Sequence, residues 1–311
     1  MSDVLDGEVR MRVLVATDGS SGARAAVDWL ARFFPAAGTT VTVVSVAAAP
    51  GPTAGGDDGQ LRAAARRVAE RAAEEGRLVL AGRWPGADAR VLEGEPREEL
   101  MRLAETERAD LLVVGARGLG AVRRLLLGSV SLAMARHAPC PVLVVKGFPA
   151  GLETVIAAVD GSPHAFEAVR YLASLGLAHA SRVLVVGVAE AIRWPKGSPV
   201  ALSAQVRQAT RELRERRRAE MEQALEQAAA HLRERAIAVE AVLLAGRPAE
   251  KIAETARARG AALVVVGARG LEGMMRLAIG SVSEAVLNDA PCPVLVVRAE
   301  RHERAGTEGG R

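Results

Sequence analysis

Apolar residues recur along this chain in two alternating rhythms. Short uninterrupted aliphatic runs closed by Gly, Asp or Pro read as strands buried on both faces, and between them apolar positions return every three or four residues, the period of a helix. The runs predict strands over 11–16, 40–46 and 89–93, a fourth from about 109 to Gly115, and a fifth over 142–145. The first helix starts at Ser20 or Ser21, either of which can cap it, and carries Ala23, Val27, Leu30 and Phe34 on one face. A loop over 50–59, rich in Gly and Pro, precedes a helix over 60–75 with Leu61, Ala64, Ala65, Val68 and Ala72 on one side. A third helix runs from Pro96, placed at the first turn where its missing N–H costs little, to about Arg108.

The same plan recurs from Thr154, with strands over 155–159, 183–188 and about 237–244, and the stretch 109–145 returns as 261–297. Registers show where the copies differ. Asp18 and Asp160 lie 142 positions apart, whereas Gly94 and Gly246, like Gly115 and Gly267, lie 152 apart. Ten extra residues therefore fall between strands two and three of the second copy. They predict a longer helix there, over about 202–235, with the stripe Leu202, Val206, Ala209, Leu213, Met221, Leu225, Ala228 and Leu232. Arg217 interrupts that stripe, and the basic run 214–218 reads as a solvated face or, alternatively, as a docking surface for a partner. Strands alternating with helices predict a parallel sheet with right-handed crossovers and helices on both faces. The chain is thus expected to be α/β, two tandem doubly wound domains over 10–147 and 153–298, each a five-stranded parallel sheet.

Composition narrows the partners. Half of the 311 residues are hydrophobic but only 3% aromatic, so the cores must be aliphatic. A net charge of +4, from 41 basic and 37 acidic residues, with so few aromatics gives no footprint for nucleic acid. Cys140 and Cys292 occupy matching Pro-Cys-Pro triplets and read as buried small residues in a reducing compartment. Residues 1–10 lack the apolar core of a signal peptide and no apolar run approaches the ~20 residues that span a bilayer, so the expectation is a cytoplasmic protein without membrane contact. The charged, Gly-rich tail beyond Arg298 is expected to be disordered.

The chemistry gathers where strands end. In an open parallel sheet, ligands sit beyond the carboxyl ends of strands at the point where the winding reverses. Asp-Gly-Ser follows the first strand of each copy (18–20 and 160–162), and Gly-Ala-Arg-Gly follows the fourth (115–118 and 267–270). After nine intervening residues come Gly128-Ser129 and Gly280-Ser281 at the start of a helix, a favourable place for an anion. The pattern makes a phosphate cradle; the competing structural reading is that the glycines merely turn the chain. No Gly-x-x-x-x-Gly-Lys-Ser/Thr occurs, and Gly115, Gly118 and Gly120 do not space as Gly-x-Gly-x-x-Gly, which removes the main support for P-loop and nicotinamide sites. Arg117 and Arg269 lie in the loops and could add charge-assisted phosphate contacts or remain solvated, while Arg123, Arg124 and Arg276 read as solvated spacer residues. The five histidines are scattered and form no catalytic or metal pattern.

On Gly-x-x-Gly, nine residues, Gly-Ser, with the Asp after strand one, the Gly-x-Pro at 94–96 and 246–248 and the closing Pro-Cys-Pro-Val-Leu-Val-Val, each half resembles a universal stress protein domain of the ATP-binding kind. The resemblance covers nearly the whole chain and implies a Rossmann-like fold of the adenine nucleotide alpha hydrolase-like type. It implies ATP, alone or with Mg2+, at one site per domain. Asp18 and Asp160 would lie near ribose and adenine, the backbone of Val46 and Val188 at the adenine edge, and Gly115 and Gly267 facing ribose. The triphosphate would rest on Gly118, Gly128 and Ser129, or on Gly270, Gly280 and Ser281, with Val130 and Val282 close by. Val159 replaces Thr17 beside the second aspartate, so equal affinity is not implied. The family precedent also has fifth strands pairing about a two-fold axis, which predicts an intramolecular pseudo-dimer and leaves a further homodimer open. The function implied is a regulatory, stress-response nucleotide binder. Alternatives are a slow ATPase, a phosphotransfer enzyme using Ser129 or Ser281 as acceptor, and a nucleotide-free interaction scaffold. Fast hydrolysis has little support, because Glu272 is the only acid within the two loops.

Overall fold

A computed structural model describes residues 11–48, 58–118, 127–147, 149, 151–177, 181–190, 203–269 and 279–298. The first half contains β1 (Met11–Ala16), α1 (Ser21–Phe33), β2 (Thr39–Ala47), α2 (Asp58–Ala81), β3 (Asp88–Glu93), α3 (Pro96–Thr106), β4 (Leu111–Gly115), α4 (Ser129–His137) and β5 (Val142–Val145). The second contains β6 (Thr154–Val159), α5 (Pro163–Ser174), β7 (Arg182–Glu190), α6 (Ala204–Arg233), β8 (Ala238–Gly246), α7 (Pro248–Ala258), β9 (Leu263–Gly267), α8 (Ser281–Asp289) and β10 (Val294–Val297). All ten strands form one sheet in the order β3-β2-β1-β4-β5-β10-β9-β6-β7-β8. Pairing is parallel within each half, and β5 meets β10 antiparallel, with Val144 opposite Val294, Leu143 opposite Leu295 and Val142 opposite Val296.

Local chemistry explains the breaks between elements. Ser20 accepts the Ala23 amide and Ser162 accepts the Ala165 amide, so a serine N-cap opens the first helix of each half. Pro163 and Pro96 stand in first turns, and the Glu95 carboxylate accepts the Arg97 and Glu98 amides at the start of α3. Helices α1, α2, α5 and α6 pack on one face of the sheet around Trp29, Leu80, Leu172 and Leu232. The other face is covered by α3, α4, α7 and α8 around Leu103, Met134, Ile252 and Leu287. Cys140 and Cys292 are both buried thiols. Among the described residues, no helix is long and apolar enough to cross a membrane.

One helix buries a face other than the one expected, and another buries only the C-terminal half of its expected stripe. α2 continues to Ala81 and packs through Ala69, Ala72, Ala73 and Leu80, leaving Leu61 and Val68 56% and 60% exposed. The cause is its closeness to the sheet: a Cβ on Gly76 would stand 2.9 Å from Val43 Cγ1, so only small residues fit the inner face. In the second half that room comes from the strand, because a Cβ on Gly187 would stand 2.7 Å from Met221 Sδ. α6 is buried through Ala224, Leu225, Ala228, Ala229 and Leu232 only, and Leu213 is 42% exposed. Its exposed turns carry i,i+4 pairs between Arg216 and Glu220 (3.0 Å) and between Arg218 and Glu222 (2.8 Å). Leu202, the loop 50–57 and the tail from residue 299 lie outside the described residues.

Several side chains tie the halves beside the β5–β10 seam. Tyr171 Oη donates to Asp110 O (2.7 Å), Arg136 pairs with Glu284 (2.5 Å), and Lys146 Nζ donates to Leu287 O (2.6 Å) and Asn288 O (3.2 Å) at the end of α8. Tyr171→Phe removes a buried donor and is expected to lower unfolding free energy by about 1–2 kcal/mol in urea titrations.

Burial pushes the Lys146 ammonium down from 10.5 to about 8. The unfolded chain therefore holds more protons than the folded one as pH rises from 8, and stability increases with pH. Burial pushes the Cys292 thiol up from 9.0 to about 11, which acts in the opposite direction above pH 9. The urea midpoint is expected to rise between pH 8 and 9, and Lys146→Met to flatten that rise.

Candidate functional site

The winding reverses between β1 and β4 in the first half and between β6 and β9 in the second, which places a crevice at the carboxyl ends of those strands. Two loops meet there in backbone contact. A Cβ on Gly115 would stand 2.4 Å from the Gly22 carbonyl carbon and oxygen, and one on Gly22 would stand 2.3 Å from Arg117 O. Gly19, at φ +76°, turns the chain in the left-handed region, and its amide donates to Thr17 Oγ1 (3.2 Å). Asp18 Oδ1 accepts the Ser20 amide at 3.0 Å, while a Cβ on Gly118 would lie 2.4 Å from Asp18 Oδ2. The Asp18 carboxylate thus lies against Gly118, joining the two motifs that the sequence keeps a hundred residues apart.

Hydroxyls hold the loops in place. Ser20 Oγ donates to Arg117 O (3.3 Å), Ser131 Oγ to Gly115 O (2.5 Å), and the Gly128 amide to Ala116 O (2.8 Å). The second half repeats the scheme. Ser162 donates from its amide to Asp160 Oδ1 (2.9 Å) and from Oγ to Arg269 O (3.5 Å), Ser283 Oγ donates to Gly267 O (2.6 Å), and the Gly280 amide to Ala268 O (2.6 Å). Ser131 and Ser283 were not among the residues singled out from sequence, although the repeated Gly-Ser-Val-Ser at 128–131 and 280–283 carries them. The amides of Gly128 and Gly280 are used within the loops, which leaves the first turn of each following helix. There α4 and α8 begin without a side-chain cap, with Ser129 and Ser281 exposed. Uncapped helix amides together with the helix dipole favour an anion.

In the second half these parts surround one cavity of about 970 Å³. Asp160, Val188, Gly267, Arg269, Gly280, Ser281 and Val282 all line it. In the first half Gly115, Arg117, Gly118, Gly128, Ser129 and Val130 follow β4 as their counterparts do β9, and Val46 stands one residue before the end of β2. Gly270, Gly120, Glu272, Arg123, Arg124 and Arg276 lie outside the described residues. The cavity also has lining that the motifs did not indicate: Phe166 on α5, Glu190 on β7, and Arg217, Glu220, Met221, Gln223 and Gln227 on α6. Arg217, expected on a solvated face, is exposed and lines the mouth of the cavity. Among the described residues, no three His, Cys, Asp or Glu side chains gather to hold a metal ion.

A sequence model of the universal stress protein family matches residues 10–146 and, again, 151–298. The chain belongs to the universal stress protein family. A universal stress protein of Mycobacterium tuberculosis is 32% identical over 307 residues, covering 92% of this chain and 96% of its own length, so the tandem arrangement is shared. One from Thermus aquaticus is 40% identical over 136 residues, 43% of this chain and 97% of its own. The crystal structure of a universal stress protein from Archaeoglobus fulgidus superposes with a TM-score of 0.67 at 21% identity, over 92% of this chain and 98% of that one, which establishes the fold. This universal stress protein accordingly carries two Rossmann-like domains in tandem.

Proposed function

We propose that this universal stress protein is a regulatory binder of adenine nucleotide, with one ATP site in each half. The observation that carries the reading is the cavity of about 970 Å³ in the second half, which Asp160, Gly267, Arg269, Gly280 and the open start of α8 line together. Its volume suits a small-molecule ligand, and its two ends differ in chemistry. At the α8 end, uncapped amides, the Ser281 hydroxyl and the Arg269 guanidinium suit phosphate oxygens. At the other end, the Asp160 carboxylate can accept from ribose hydroxyls, and Val188 and Val186 offer apolar contact to a base. Bound Mg2+ would neutralise phosphate charge, taking its ligands from phosphate and water.

Binding is favoured over turnover by where the acids stand. Of the three acids that line the cavity, Asp160 accepts the Ser162 amide and faces the nucleoside end, while Glu190 and Glu220 stand on β7 and α6, with β7 two strands, roughly 10 Å, from the β9 end that leads to α8. A carboxylate there is poorly placed to position water at the terminal phosphate. Ser129 and Ser281 serve as donors to phosphate. Steady-state phosphate release is expected to stay far below ~1 per second, and turnover near that rate would contradict a binding role.

Calorimetric titration of the full chain tests the reading. Two ATP per chain are expected, with Ser129→Glu and Ser281→Glu each removing one, because a carboxylate in a first turn suits the helix but repels phosphate. We also infer that β5 and β10, by covering each other's edges, let a single chain supply the paired-domain assembly; sedimentation at several concentrations should return the mass of one chain.

A further inference from the structure

The two sites differ along one wall, and the difference can be aligned residue by residue. A Cβ on Gly19 would meet Ala72 Cβ at 3.5 Å, and one on Gly161 would meet Ala224 Cβ at 3.6 Å, so α2 and α6 stand in the same place over their loops. By that register Arg24 corresponds to Phe166, Ala69 to Met221 and Glu75 to Gln227. In the second half Phe166, Met221 and Gln227 line the cavity. In the first half Arg24 and Glu75 form an exposed ion pair across the same gap, at 3.5 Å.

We propose that the sites have diverged in what they read: the second recognises the nucleotide base through Phe166 and Met221, and the first reads phosphate and ribose with little preference for a base. The inference rests on the nucleotide reading given above. An aromatic ring and a polarisable thioether supply flat, dispersive surface for a purine, and Gln227 brings both a donor and an acceptor for its edge. An exposed Arg–Glu pair offers each charge to the other and presents no comparable apolar face. Base stacking on an aromatic side chain corresponds to roughly a ten- to hundredfold gain in affinity.

The test uses two full-length single-site chains, Ser129→Glu to leave the second site and Ser281→Glu to leave the first, titrated calorimetrically with ATP and with ribose 5-triphosphate, which lacks the base. In the Ser129→Glu chain ATP is expected to bind at least tenfold more tightly than ribose 5-triphosphate. In the Ser281→Glu chain the two should agree within about threefold. Adding Phe166→Leu, which keeps apolar bulk, to the Ser129→Glu chain should cut the ATP preference several-fold and leave ribose 5-triphosphate unchanged. Adding Arg24→Phe with Glu75→Gln to the Ser281→Glu chain should create a preference there. Equal ratios in the two single-site chains, or a ratio indifferent to Phe166→Leu, would overturn the divergence alone. Binding of ATP by neither chain would overturn the nucleotide reading and the divergence together.

Discussion

Gly115→Ala is expected to destabilise the chain by about 2–3 kcal/mol and to abolish nucleotide binding in the first half. The added Cβ would stand 2.4 Å from the carbonyl carbon and oxygen of Gly22, backbone atoms that cannot rotate away as a side chain could. Retreat is blocked on the other side as well, because the Gly22 position already lies against Arg117 O, and Ser131 holds the Gly115 carbonyl from below. Overpacking of this kind typically costs 1–3 kcal/mol, and the shift that relieves it separates the Asp18 turn from the glycine loop. Gly267→Ala is the internal comparison. Its Cβ would lie 2.8 Å from the His164 backbone, a milder collision, so the loss in stability should be smaller. Urea unfolding of the two variants, with ATP titration in single-site chains, gives both rankings.

The larger effect on folding is expected at the seam. Val144 is wholly buried opposite Val294 where β5 meets β10, and the neighbouring pair of Leu143 and Leu295 is buried too. Val144→Asp places a carboxylate in the aliphatic core of the seam. A buried unpaired charge belongs to the short list of changes that exceed about 4 kcal/mol. The seam joins both faces of the core, since each hydrophobic cluster runs through strands of both halves. Val144→Asp should therefore lower the urea midpoint for the whole chain, not for one half. A variant that left the midpoint of either half unchanged would mean that the halves fold independently of the seam.

These expectations show where the sequence is easy to read and where it is not. Val142–Val145 and Val294–Val297 are readable to the residue, because Pro-Cys-Pro stops the chain before each and a four-residue aliphatic run allows one outcome. The helix starts at Ser20 and Ser162 are equally plain, since a hydroxyl followed by helical periodicity is a local signal. The buried face of α2 is not readable in that way. Periodicity weights large apolar residues and selects Leu61 and Val68 along with Ala72, whereas the distance between α2 and β2 keeps Ala72 and adds Ala69, Ala73 and Gly76 in place of the larger two.

The candidate site divides along the same line. Its glycines and Gly-Ser pairs stand out because they recur at fixed spacing, and the duplication makes each copy a check on the other. The contact of Asp18 with Gly118 depends on which strands are neighbours, and no local pattern encodes it. Met221 looks like one more core position in the stripe of α6, and Phe166 belongs to no motif; only the packing of α5 and α6 brings both to the cavity.

The most direct test of the account is native mass spectrometry of the intact chain, followed by identification of the small molecule released on unfolding. ATP is expected at up to two per chain, falling to one in Ser281→Glu. A chain that carries no nucleotide and takes up none when ATP is supplied would contradict it.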